Sequence, residues 1–147
     1  MSFRFVLAPL LRLRQSVERQ RTLQLQEANL QASRAQETLA QLDRFLSDSA
    51  QSDSAALSAG RTGAELQFAS VLRENLFHFR QELQSDIRRL ELLRQQAASA
   101  YHQAYREREV LETLSARQRR VYQQEQLRRQ QQELDGAYLL QRWHHRD

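Results

Sequence analysis

Residues 25–46 read LQEANLQASRAQETLAQLDRFL, and within them Leu25, Ala28, Ala32, Ala35, Leu39, Leu42 and Leu46 recur at alternating steps of three and four. A repeat averaging 3.5 residues returns to nearly the same side of an α-helix at every turn, so these residues form one narrow apolar stripe. Such a stripe suits one neighbouring helix rather than a thick core. The alanines in it let that neighbour come close.

Toward the N-terminus, Pro9 suits the first turn of a helix, where its missing N–H is not needed. Apolar residues follow at Leu10, Leu13 and Val17. The eleven-residue step from Val17 to Ala28 predicts a stutter, a local unwinding of the supercoil without a break. Toward the C-terminus the register dissolves into Ser47-Asp48-Ser49-Ala50-Gln51-Ser52-Asp53-Ser54, and Gly60 and Gly63 follow, which predicts a turn over about 51–63. Thr62 and Glu65 have the spacing of a capping box, so a second helix starts there. Its stripe runs through Leu66, Ala69, Leu76, Leu83, Ile87, Leu90, Ala97, Tyr101, Ala104, Leu111 and Leu114, with Arg108–Glu112 and Glu125–Arg129 paired on the outer face. No breaker intervenes before Gly136.

The expected fold is all-α: an antiparallel two-helix coiled-coil hairpin with unequal arms, forming a single domain over 1–147. Helix one covers about 8–50 and helix two about 64–143. At 1.5 Å per residue the first reaches about 60–75 Å and the second about 105–120 Å, so helix two should overhang without a partner from about Arg117. Composition agrees. Three Gly and one Pro leave little chain for the turns of a sheet protein, and a mean hydropathy of -0.78 leaves little for a globular core.

Charge is unevenly spread. Residues 1–21 carry a net +4 and 117–147 a net +3, leaving -3 between them, and every one of the 22 basic residues is Arg. Antiparallel folding brings the two basic segments together as a basic foot. With no Cys, disulfides, thiolate metal sites and thiol catalysis are excluded, and a reducing cytosol is favoured. No apolar run approaches the ~20 residues of a membrane span, and the arginine-interrupted start lacks the features of a secretory signal.

No phosphate-binding glycine loop, nucleophile elbow or His-Glu-x-x-His spacing occurs. Adjacent His144 and His145 point about 100° apart on a helix, and Glu107 and Glu109 are separate solvent-facing carboxylates. The chain is therefore expected to be no enzyme and to use no cofactor, metal or small molecule. The basic stretch Arg117–Arg129 is diluted by Glu125 and a glutamine run, which favours an acidic protein partner, and next a solvated coiled-coil face, over nucleic acid. Phe45, Phe68, Phe77 and Phe79 cluster near the turn. They either close the stripe or face outward as protein-binding anchors.

Several segments resemble one family: Phe3-Arg4-Phe5-Val6-Leu7-Ala8-Pro9-Leu10-Leu11-Arg12-Leu13-Arg14 at the start, Leu57-Ser58-Ala59-Gly60 followed by Phe68 and Leu72, Val110-Leu111-Glu112-Thr113-Leu114-Ser115-Ala116-Arg117, and Gln132-Glu133-Leu134-Asp135. Together these are similar to the flagellar export protein FliJ family. The resemblance implies a cytoplasmic, non-enzymatic coiled-coil stalk, peripheral at the inner-membrane type III export apparatus. Its implied partners are the flagellar export ATPase, the cytoplasmic domain of the export-gate membrane protein, and chaperones of late substrates. On that basis Arg12, Arg14, Arg119, Arg120, Arg128 and Arg129 are expected to meet the ATPase ring, and Phe68, Leu72, Leu76 and Phe79 the export gate. A homologous stalk of a virulence secretion system and a basic coiled-coil nucleic-acid binder are the alternatives.

Overall fold

Two helices side by side can hide only the stripe that each turns toward the other, so the fold follows from which residues occupy those stripes. The computed structural model describes residues 2–146, with α1 over Ala8–Ser58 and α2 over Gly63–His144. The two are packed against each other as a helical hairpin. Contacts group the chain into two units, Gln20–Tyr101 and Met1–Arg19 with His102–Asp147.

In the Gln20–Tyr101 unit, all seven stripe residues from Leu25 to Leu46 turn inward, and Ala32 and Leu46 are buried. The same phase then continues through half-buried Ser49, Asp53 and Ala56, and α1 runs to Ser58, past its expected end near residue 50. Asp53 can occupy an inward position here because the opposite helix supplies a partner. Asp53 pairs with Arg73 of α2, and also with Arg61 at 2.8 Å. On α2, Leu66, Ala69, Leu76, Leu83, Ile87, Leu90, Ala97 and Tyr101 are turned inward as expected. Interleaved with them are Arg73, Arg80 and Arg94, which share one heptad phase and are only partly exposed. Arg80 Nε reaches Asp43 Oδ1 across the helices at 2.6 Å, and Arg94 Nε donates to Glu91 at 3.0 Å within α2.

The turn is short. Gly60 N–H donates to the Leu57 carbonyl at 3.5 Å and Arg61 N–H to the Ala56 carbonyl at 3.4 Å, the paired bonds of a Schellman ending. Gly60 takes φ 87°, the left-handed value that this ending requires. Thr62 then caps α2: its Oγ1 accepts from Glu65 N–H at 3.4 Å, while the Glu65 carboxylate faces Arg61 Nε at 3.9 Å.

In the other unit the expected phase of α1 is corrected. Leu10 and Leu13 lie outward, and Leu11, Arg14, Gln15 and Glu18 turn inward. Leu11 and Glu18 stand at seven-residue steps before Leu25, so the heptad is unbroken and the expected stutter is absent from α1. On α2 the buried Ala104 is followed by half-buried Arg108, Leu111, Ser115 and Tyr122. Arg108 is therefore not an outer-face residue. It keeps its Glu112 partner but also pairs with Glu18 of α1, and its side chain is only 16% exposed. Glu125–Arg129 does stay on the outside, at 3.3 Å.

The partnered part of α2 extends past Arg117 because the segment before α1 continues along it. Ala8 N–H donates to the Phe5 carbonyl at 3.1 Å, Phe5 is buried, and the Phe3 ring meets Tyr122 with centroids 5.6 Å apart. From Leu127 to Arg146 every residue is exposed. α2 passes Gly136 without interruption.

The two glycines predict opposite outcomes. A Cβ on either meets nothing within 4 Å, so only backbone conformation decides. Gly60→Ala should lower thermal stability by about 1–2 kcal/mol, the cost of a left-handed alanine. Gly136→Ala should raise the helical circular-dichroism signal, since alanine is favoured over glycine by about 1 kcal/mol in a helix interior. Equal behaviour of the two variants would contradict this account of the turn.

Candidate functional site

What the hairpin offers to other molecules is the set of side chains outside its inward stripes. At the foot, Arg4, Arg12 and Arg119 border one open cleft whose walls include Phe3, Phe5, Pro9, Leu11 and Ser115. The Arg119 guanidinium lies over the Phe3 ring, 5.6 Å from its centroid, a cation–π contact that fixes the charge beside an aromatic surface. Arg119 also shares a shallower groove with Arg120, Leu11 and Glu112.

The six arginines expected to act together are thus divided. Arg12, Arg119 and Arg120 are exposed and, among the described residues, have no carboxylate within ion-pair distance. Arg14 is turned inward and its Nη1 donates to Glu107 Oε2 at 2.5 Å. Arg128 and Arg129 converge on Glu125, at 3.0 and 3.3 Å. Arg4 is the member that pattern reading missed. Its signal was its place between Phe3 and Phe5, which dock residues 2–7 against α2.

In the Gln20–Tyr101 unit the expected apolar group is also divided. Phe68, Leu72 and Phe79 are 72%, 45% and 48% exposed, whereas Leu76 turns inward. Phe68 and Leu72 line a groove with Phe45 of α1, floored by Ala69 and edged by Asp48, Asp53, Glu65 and Arg61. Leu72 and Phe79 stand one heptad apart, each immediately before an inward arginine, so they share one flank of α2. A partner with apolar side chains and a basic fringe fits this surface.

The family model described as Flagellar FliJ protein matches residues 3–147. No curated protein and no solved structure matches the chain.

Two carboxyls on the exposed faces have shifted acidities. The hydrogen bond from Arg128, aided by its charge and by Arg129, holds Glu125 below the usual 4.5, and the hydrogen bond from Arg94 does the same to Glu91. A lowered pKa in the folded state means that these pairs stabilise the helix fully above the ordinary carboxyl value. Their contribution is lost as pH falls through the lowered one. Carbon-detected NMR titration should therefore place both midpoints below 4.5. Replacing Arg128 and Arg129 by Gln should return Glu125 toward that value and leave Glu91 unchanged.

Proposed function

Because the chain belongs to the flagellar FliJ family, and with it to the flagellar type III export apparatus, we propose that it serves there as a non-enzymatic stalk whose two units bind different partners. The Met1–Arg19/His102–Asp147 unit enters the ring of the flagellar export ATPase, using Arg12, Arg119 and Arg120 together with Arg4 on its charged side. Arg14, Arg128 and Arg129 act in the same contact while sharing their charge with Glu107 and Glu125. Complementary charge guides such docking and sets its rate.

The Gln20–Tyr101 unit presents Phe68, Leu72 and Phe79, with Phe45 beside them, to the cytoplasmic domain of the export-gate membrane protein. Leu76 supports them from within. Chaperones of late substrates bind the same apparatus through this chain. It works in the cytoplasm, peripheral to the inner membrane; no helix among the described residues is long and apolar enough to cross one.

The observation that supports this reading most is the 72% exposure of Phe68 beside Phe45 and Leu72. A large aromatic left in water on a thin hairpin contributes little to folding, and as an interface anchor it carries about 2 kcal/mol or more of binding. Phe68→Ala, Leu72→Ala and Phe79→Ala should each leave the melting temperature within a few degrees of wild type. Each should weaken binding to the export-gate cytoplasmic domain about tenfold or more. Arg12→Glu with Arg119→Glu and Arg120→Glu should weaken ATPase binding alone, with little change in helical signal. Strong destabilisation by the three apolar truncations with unchanged gate affinity would make those side chains part of the core and remove this binding surface.

A further inference from the structure

One broad side of the Met1–Arg19/His102–Asp147 unit is aliphatic. On α1, Leu10, Leu13 and Val17 follow at steps of three and four. On α2, Val110, Leu114, Arg117 and Val121 repeat at similar steps. Leu10, Leu13 and Val17 stand immediately before inward Leu11, Arg14 and Glu18. Val110, Leu114 and Val121 stand immediately before inward Leu111, Ser115 and Tyr122.

In an antiparallel pair, reversing the helix direction and reversing the side that faces the neighbour offset each other. Residues with the same offset from the inward stripe therefore lie on the same side of the pair. Val110 is 67% exposed there, Val121 59% and Leu13 57%. The residues one place after the inward positions are mostly of opposite character: Arg12, Gln15, Arg19, Glu109 and Glu112, with Tyr105 and Ala116 the exceptions. A two-helix layer that is aliphatic on one side and charged on the other is half of a four-helix bundle.

The α2 row indicates what covers it. Glu107, Val110, Leu114 and Arg117 read acid, apolar, apolar, base, so the row is its own complement when reversed. Laid antiparallel on a second copy, it sets Glu107 opposite the partner's Arg117 and Val110 opposite the partner's Leu114. The symmetry axis then falls at the level of Glu112. Gln15 of α1 donates to Glu112 at 3.4 Å, so the axis crosses α1 near Gln15 and sets Leu13 opposite the partner's Val17. Both rows are thus matched by one axis. Arg117 is exposed with no carboxylate in ion-pair reach among the described residues, and Glu107, although held by Arg14, keeps Oε1 on the exposed Gln103 amide at 3.3 Å.

We propose that this aliphatic side is a self-association surface, on which a second copy packs about a two-fold axis to close an antiparallel four-helix bundle. The contact is isologous, so it stops at two chains. It uses the same unit as the ATPase contact proposed above, but not the side that carries Arg12 and Arg119.

Sedimentation equilibrium on the full chain should give a dimer, and Val110→Glu or Leu13→Glu should give a monomer with an unchanged helical signal, since both side chains are exposed. Arg117→Glu should weaken the dimer about tenfold, and Glu107→Arg added to it should recover most of that loss. Because the chain has no cysteine, register can be read directly. A mixture of Val110→Cys and Leu114→Cys chains should form the mixed disulfide faster than either variant forms its own, the two Cβ atoms being brought within the ~4 Å that a disulfide needs. A monomeric wild type, a trimer, a dimer indifferent to Val110→Glu, or no preference for the mixed disulfide would each overturn the proposal.

Discussion

The arginines that α2 turns toward α1 set the constraint on which the hairpin depends. Leucines and alanines in a heptad stripe pack almost equally well one heptad up or down, so they hold two helices together without fixing how far one has slid along the other. A guanidinium in the same stripe is different. Arg73 meets Asp53 and Arg80 meets Asp43 in the Gln20–Tyr101 unit, and Arg108 meets Glu18 in the other. Arg73 and Arg80 stand one heptad apart, so a slide of one heptad could re-pair only one of them, with Asp53 or Asp43; the other acid, and Glu18 with Arg108, would lose their partners, a cost that apolar pairs never meet. Direction is fixed along with register, since the acids rise along α1 as the arginines fall along α2 only when the helices run oppositely.

That economy has a functional consequence. A stripe filled partly by ion pairs needs few large apolar residues, and only Phe5, Ala32, Leu46 and Ala104 are buried outright among the described residues. The remaining large side chains are free to be surface. Phe68, Leu72 and Phe79 crowd one flank near the turn, Leu10, Leu13, Val110 and Val121 one side of the foot, and the arginines of the foot are spread around the docked Phe3. In a thick globular domain most of these residues would be core. Here they remain on the surface, and the binding proposed above draws on them.

How much of this was legible depended on the chemistry of the inward positions. From Leu25 to Leu46 the seven heptad positions are apolar, with half-buried Asp43 beside Leu42 the polar residue turned in, and reading the pattern located the stripe residue by residue. At the two ends of α1 it did not, because inward and apolar part company there. Leu10 and Leu13 are as apolar as Leu11, and only the pairing of Arg14 and Glu18 with α2 selects the phase that buries Leu11. Ser49 and Asp53 look like the start of a loop until Arg73 and Arg61 are seen to pair with Asp53. Arg108 was read as an outer residue from its spacing to Glu112, which is correct for that pair and silent about Glu18. The exposed aromatics of α2 were legible, because their offset from the stripe needs nothing but helical geometry. The role of Phe3 and Arg4 was not, since it rests on a non-helical lead-in that sets Phe3 against Tyr122, and no periodic pattern encodes that.

The central claim is that cross-helix arginine–carboxylate pairs within the stripe specify the hairpin, and the Glu18–Arg108 pair tests it most directly because both side chains are less than one-fifth exposed. A double-mutant cycle of Glu18→Gln, Arg108→Gln and the double variant, measured by chemical unfolding at neutral pH, isolates their coupling. The account predicts a favourable coupling of about 1–2 kcal/mol, with the double variant more stable than the sum of the single losses implies. Effects that add to within about 0.5 kcal/mol would mean that the two charges merely lie side by side, and would contradict it.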